Sequence, residues 1–214
     1  MVTRTAGETA SKTTLETGSF ERFASICAIL AGIGSLLYGI AFVVLKNGML
    51  SSLFLMLGGL LSTVVLTAVY RRVRTVNESA SLWMLLLGIA GAFGALLHGG
   101  YDLANAINAP NVSAAIMNLP SAVDPRGLLT FGVTGIAVII LAWLIGSGGQ
   151  LPRVMSYWGY LLGVLLVILY LGRLIILNPQ NPLIAVDALL CGFVLNPVWY
   201  IALGWALWRG WGKR

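Results

Sequence analysis

The stretch LWMLLLGIAGAFGALLHGGYDLA, Leu82 to Ala104, runs for 23 residues with no formal charge until Asp102 and with the chain's one histidine at His98. A helix rises about 1.5 Å per residue, so this stretch reaches about 34 Å, enough to cross a hydrocarbon core about 30 Å thick. Lipid offers the backbone no hydrogen-bond partners, which restricts spanning segments to helices and closed barrels. Barrel strands alternate apolar and polar residues, whereas this run is continuously apolar, so it reads as a transmembrane helix.

Five more runs follow the same reading, at about Phe23–Leu45, Leu50–Tyr70, Leu128–Ile145, Ser156–Leu177 and Leu183–Trp208. Breaks between them fall at Lys46-Asn47-Gly48, at Arg71-Arg72-Val73-Arg74, across Asn105–Gly127, across Gly146–Arg153, and at Asn178-Pro179-Gln180-Asn181-Pro182. The expected architecture is therefore all-α, a polytopic bundle of six spans. Residues 1–22, rich in Thr, Ser and Glu, read as a disordered cytoplasmic tail, residues 23–211 as one transmembrane domain, and residues 105–127 as a long outer loop. Within that loop Val112–Leu119 could form a short interfacial helix, placed to act as a lid.

Composition agrees with a membrane class. Hydrophobic residues make up 58% and charged residues 9% of the chain, against about 45–50% and 25% in soluble proteins. The formal charge of +6 raises nucleic acid as a partner, but Lys and Arg are scattered through loops without an aromatic-interleaved basic stripe, which excludes that class. Topology accounts for them better. With the N-terminus inside, ten basic residues (Arg4, Lys12, Arg22, Arg71, Arg72, Arg74, Arg153, Arg209, Lys213 and Arg214) fall on the cytoplasmic side and two, Lys46 and Arg126, outside. That bias predicts both termini in the cytoplasm. Trp83, Trp143, Trp158, Trp205, Trp208 and Trp211 cluster near the same predicted boundary, as interfacial tryptophans do, with Trp199 somewhat deeper. Cys27 and Cys191 lie in apolar runs at different depths, so no disulfide is expected.

Ionisable residues inside a span are costly and mark candidate sites. His98 and Asp102 on the third span, Arg173 on the fifth and Asp187 on the sixth qualify. Counting about 1.5 Å per residue, His98 lies roughly 24 Å from Leu82, Arg173 roughly 26 Å from Ser156, and Asp187 roughly 6 Å below Leu183. All share one level beneath the outer surface. Tyr101 and Asp102 stand three and four residues from His98 on one helix face, which Asn105 extends. Asp102 and Asp187 are both candidate partners for Arg173. Three readings stay open: a structural ion-pair cluster, an Arg173 that snorkels to the headgroups, and a ligand or proton site in which His98 titrates, Asp102 orients it and Arg173 with Asp187 forms a gate or anion-binding pair.

Other chemistry finds little support. His98, Asp102 and Asp187 form a weak potential metal set, one histidine excludes bis-His haem ligation, and no lysine lies within a span to form a Schiff base, so neither metal nor cofactor is expected. Ser35 with His98 offers no specific nucleophile motif. Asn196-Pro197 should bend the sixth span and free a carbonyl at Phe193, making both residues hinge candidates. Small residues recur three or four apart as Ser25, Ala28, Gly32, Ser35 and Gly39 on the first span and as Gly88, Gly91, Ala95 and Gly99 on the third, a pattern for close helix packing.

The segment Gly148-Gly149-Gln150-Leu151-Pro152-Arg153, with Trp158-Gly159 and Leu162-Gly163-Val164 after it, resembles a recurrent feature of bacterial multi-pass proteins classed as domains of unknown function. Asn196-Pro197-Val198-Trp199 with Gly204 before a basic tail is similar too. The resemblance covers the C-terminal third and implies a multi-pass protein of a bacterial inner membrane, without assigning catalytic residues.

The preferred expectation is a non-enzymatic membrane protein with an outward-facing polar pocket that binds a small ligand or proton, for transport or sensing. The alternatives are an accessory subunit whose small-residue stripes pack on a membrane protein partner or a second copy, and an intramembrane lipid-modifying enzyme. The lipid bilayer is a partner on every reading.

Overall fold

The computed structural model describes residues 6–108, 123–149, 151–177 and 181–210, with side chains from Gly18 onward. Six helices are long and apolar enough to cross a membrane. Helix α1 is Ala6–Gly39 continued by Ile40–Val44, α2 is Gly48–Val73, and α3 is Glu78–Ile107. Helix α4 begins with the tight turn Pro125–Gly127 and runs through Leu128–Val133 to Gly148. Helix α5 is Arg153–Ile175, and α6 runs from Pro182 to Trp208.

Side-chain caps set several of the helix starts. Asn47, Asn77 and Asn181 accept from the backbone N–H groups of Leu50, Ala80 and Leu183 at 3.0, 2.9 and 3.0 Å, satisfying donors that have no partner within the helix. The expected interfacial helix Val112–Leu119 lies outside the described residues. The expected loop is also narrowed from both sides, because α3 continues to Ile107 and α4 starts at Pro125.

The helices pack in chain order, α1 on α2, α2 on α3, α3 on α4, α4 on α5 and α5 on α6, and α6 closes back onto α1. The bundle is therefore a ring. Six antiparallel helices leave the first and last described residues on the side of Arg71, Arg72 and Arg74, here termed the basic end. The other side is the far end.

Small residues close the ring at its seams. A Cβ at Gly32 would lie 2.8 Å from the Pro197 carbonyl, one at Gly204 would lie 2.8 Å from the Ser25 carbonyl, and the Ser25 hydroxyl donates to the Gly204 carbonyl at 2.6 Å. Gly135 and Gly163 play the same reciprocal part between α4 and α5. Gly99 fits against the α2 backbone at Ser52 and Met56, and Gly91 against Leu129 and Thr134 at the start of α4. In lipid, where no hydrophobic force drives helices together, such close approach supplies the van der Waals contact that holds them.

Packing differs between the two halves. Toward the basic end Val69, Val73, Met84, Leu144, Ile145, Leu162 and Leu203 are all at most 1% exposed and form a solid core. The outward faces are apolar, with Phe23, Leu30, Leu60, Leu86, Leu97, Leu161 and Ile168 exposed as lipid-facing side chains must be. Trp83, Trp143, Trp205 and Trp208 are exposed on the surface, and Trp199 is buried in the bundle.

One correction concerns the N-terminal segment. Helix α1 begins at Ala6, inside the stretch expected to be a disordered tail, and Glu21 within it is buried. The reason is a two-pronged ion pair with Arg72 of α2, Nε to Oε1 at 2.8 Å and the second guanidinium nitrogen to Oε2 at 2.9 Å, with both side chains 7% exposed. Removing one member leaves a buried charge uncompensated. Glu21→Ala should therefore destabilise the fold by about 3–5 kcal/mol, more than the paired replacement Glu21→Leu with Arg72→Leu. Thermal unfolding in detergent compares them, and an E21A midpoint equal to that of the unaltered protein would remove the ion pair from the fold's supports.

Candidate functional site

Three helices lose the ordinary α-helical spacing in the far half. Over Ile40–Val44, Leu128–Val133 and Cys191–Leu195 the backbone bonds run from residue i+5 to i, as from the Leu45 N–H to the Ile40 carbonyl and from the Asn196 N–H to the Cys191 carbonyl. Such wide turns concentrate at functional sites because they redirect side chains. In α6 the wide turn ends at Asn196-Pro197, where proline lacks the N–H a regular helix would use. The Trp158 indole donates to the Leu195 carbonyl at 3.2 Å, which supplies a partner in that irregular stretch. Pro197 is buried, and Asn196 lines the interior.

Where these turns widen the ring, it encloses a cavity of about 450 Å³ lined by residues of all six helices. On α3 the lining runs from Met84 to His98, a rise of about 21 Å. The floor is Val69, Met84, Leu141 and Leu203 of the solid core. The walls are mostly apolar, and the Ser62 and Tyr200 hydroxyls in them are 2.9 Å apart, with Ser62 also reaching the Gly58 carbonyl at 2.7 Å. Four lining residues are also exposed at the surface, Phe42 and Val43 on α1 and Ala188 and Leu189 on α6. The opening therefore faces sideways, between the outer limbs of α1 and α6.

His98 and Tyr38 line the far part of the cavity. His98 Nε2 lies 3.2 Å from Asp102 Oδ2, so the expected i, i+4 pair is present. Tyr101 is half-buried one turn along the same helix. Arg173 does not join either expected carboxylate: among the described residues no ion pair links it to Asp102 or Asp187. Its guanidinium instead lies over the Phe131 ring, 5.1 Å from the centroid, a cation–π contact, and it interacts electrostatically with Tyr38, Asp124 and Arg126. Asp187 is 8% exposed and receives the Cys191 thiol at 3.4 Å, with its other oxygen lacking a partner among the described residues. The expected cluster of Arg173 with Asp102 and Asp187 is therefore not formed, because each of these side chains turns to a nearer neighbour. His98, Asp102 and Asp187 do not converge on one point as a metal set would.

Asp124, which the sequence reading left in the loop, organises this end. It is 1% exposed and accepts from the backbone N–H groups of Leu129 and Thr130 at 2.7 and 3.1 Å and from the Thr130 hydroxyl at 2.6 Å. The available signal was Asp124-Pro125 directly before an apolar run, an acceptor followed by proline at the first helical position. Gly127 completes the turn at φ 81°, and a Cβ there would strike the Phe131 ring and approach the Arg173 guanidinium at 3.3 Å. Only glycine both adopts that conformation freely and leaves room for the stacked pair.

No protein-family profile, curated protein or solved structure matches the chain. The fold and the geometry define a multi-pass, all-α membrane protein with an internal cavity.

Asp124→Ala should cost about 1–2 kcal/mol, the scale of a lost N-cap, and Asp124→Asn less, because its amide oxygen still accepts. Unfolding midpoints of the two variants check this; equal midpoints for Ala and Asn would show that the carboxylate position is not a cap that the fold depends on.

Proposed function

We propose that the protein is a non-enzymatic binding protein of the cell's inner membrane that takes up a small ligand in the cavity between its six helices. The cavity itself carries this reading. At about 450 Å³ it falls within the roughly 300–1,000 Å³ typical of small-molecule sites, and its apolar wall with a few polar groups at one end is the usual composition of such sites. The far end, with Tyr38 and with His98 paired to Asp102 behind it, is polar, and the solid core closes the basic end. Binding from one side of the membrane, as a receptor or the outward state of a carrier, follows from that asymmetry.

The basic residues support an orientation with the basic end in the cytoplasm: Arg22, Arg71, Arg72, Arg74, Arg153 and Arg209 lie there among the described residues, against Lys46 and Arg126 at the far end and Arg173 within its span. The accessory-subunit alternative called on small-residue stripes to pack against partners. Gly32, Gly91, Gly99 and Gly204 are instead spent on contacts inside the bundle, which favours the cavity reading.

Gly58 tests it. It lines the cavity, and a Cβ there would meet nothing within 4 Å, so Gly58→Phe fills the space without disturbing a helix contact. Quenching of Trp199, which also lines the cavity, by a bromine-labelled alkyl alcohol in nanodiscs is the measurement. G58F should weaken quenching by roughly tenfold while leaving the unfolding midpoint nearly unchanged. Equal quenching in both proteins would end the proposal.

A further inference from the structure

The cavity's dimensions restrict what occupies it. The volume open to the centre of a water molecule, about 450 Å³, is spread over a rise of about 21 Å, which makes an elongated space about 8 Å between its walls. An elongated apolar space of this kind admits an extended alkyl chain, whose carbons meet the wall at about 3.5–4.0 Å. The wall along most of this length is apolar, and Ser62 and Tyr200 already satisfy one another. The residues at the sideways opening, Phe42, Val43, Ala188 and Leu189, are exposed and apolar, as side chains in contact with lipid are.

Charge at the far end restricts the other part of the occupant. The chain has seven acidic residues, of which Glu8, Glu16, Glu21 and Glu78 belong to the basic side and only Asp102, Asp124 and Asp187 to the far side. Each of these three is engaged elsewhere: Asp102 with His98, Asp124 with the start of α4, and Asp187 with Cys191. Residues 109–122 and 178–180 contain no Asp or Glu by sequence, so they add no further carboxylate. Arg173 is thus a half-buried cation with an aromatic ring beneath it and no carboxylate at ion-pair distance among the described residues. Arg126, exposed on the turn that opens α4, adds a second positive charge to the field at Arg173, and the Asp124 carboxylate at this end is already occupied by the start of α4. An unpaired cation at this depth calls for an anion. The Phe131 ring that carries Arg173 on one side lines the cavity, as does Tyr38, which couples to the same guanidinium.

We propose that the ligand is a single-chain amphiphile with an oxyanion head, a carboxylate or phosphate, which Arg173 and Arg126 hold beside Phe131 at the far end while the chain fills the cavity, and which arrives sideways from the lipid between α1 and α6. This rests on the binding role proposed above. A planar guanidinium matches two oxyanion oxygens at once, which a hydroxyl head does not offer, so head chemistry discriminates among chains of equal length.

The test uses the full chain in nanodiscs of zwitterionic phosphatidylcholine, with ω-bromohexadecyl phosphate and ω-bromohexadecanol as probes and Trp199 quenching as the readout. The phosphate should act at roughly tenfold lower concentration than the alcohol, as charge-assisted hydrogen bonds predict. Arg173→Gln should erase that difference while leaving the response to the alcohol intact, and Arg126→Gln should reduce it about twofold to threefold. The contrast between probes in the unaltered protein stands even if Arg173→Gln folds poorly. If neither probe quenches Trp199, the cavity reading itself fails. If both quench equally, or if the phosphate keeps its advantage in both arginine variants, the cavity reading survives and the headgroup site is overturned. Displacement of the phosphate probe by millimolar inorganic phosphate would mean that the arginines select a free anion, which also overturns the amphiphile.

Discussion

The contact between α1 and α6 is the constraint on which the rest of the molecule depends. Backbone approach at Gly32 and Gly204, reinforced by the Ser25 hydroxyl on the Gly204 carbonyl, joins the first helix to the last. Without that seam, neighbouring helices would still pair along the chain but would form an open sheet of helices with no interior. Closure makes an inside, and the distinction between a solid basic end and the hollow above it exists only within a closed ring.

The hollow half is consistent with the cost of packing in lipid. Side chains that leave a void lose contacts that nothing replaces, so a cavity persists only where surrounding elements are fixed by other means. Here those means are the glycine contacts, the Asp124 cap that anchors α4, and the Glu21–Arg72 pair that ties α1 to α2 below the cavity. The polar groups at the far end are each held by near neighbours, His98 by Asp102 and Arg173 by the Phe131 ring, without a network that spans the cavity.

Much of the fold was legible in the sequence because lipid imposes length and polarity rules on every crossing. Six apolar runs gave six helices, and the His98–Asp102 pair followed from four-residue spacing on one helix. The partner of Arg173 was not legible. Counting along a helix gives depth but not rotation relative to neighbours, and rotation decided that Arg173 met Phe131 while Asp187 met Cys191. Asp124 was hidden because its Asp-Pro capping pattern sat in a stretch read as loop, and Glu21 because a Thr- and Ser-rich context masked the helix it belongs to. The cavity left no trace in composition, since emptiness is a difference between side-chain volume and ring circumference. Only Pro197 marked one of the three wide turns.

Those wide turns carry a further consequence for phase. A turn that accommodates one extra residue advances everything beyond it by one residue's rotation, about 100° in a regular helix. The outer limb of α6, Pro182–Leu190, is therefore out of phase with the stripe that seals its lower half, and α1 ends in its own wide turn, so the same two helices that lock together at Gly32 and Gly204 present Phe42, Val43, Ala188 and Leu189 around a gap above. Sealed and open segments of one helix pair need no separate sequence code. Insertion of a single residue is enough to pass from one to the other, and in this family of geometries a one-residue deletion changes which face a helix shows more than it changes its length.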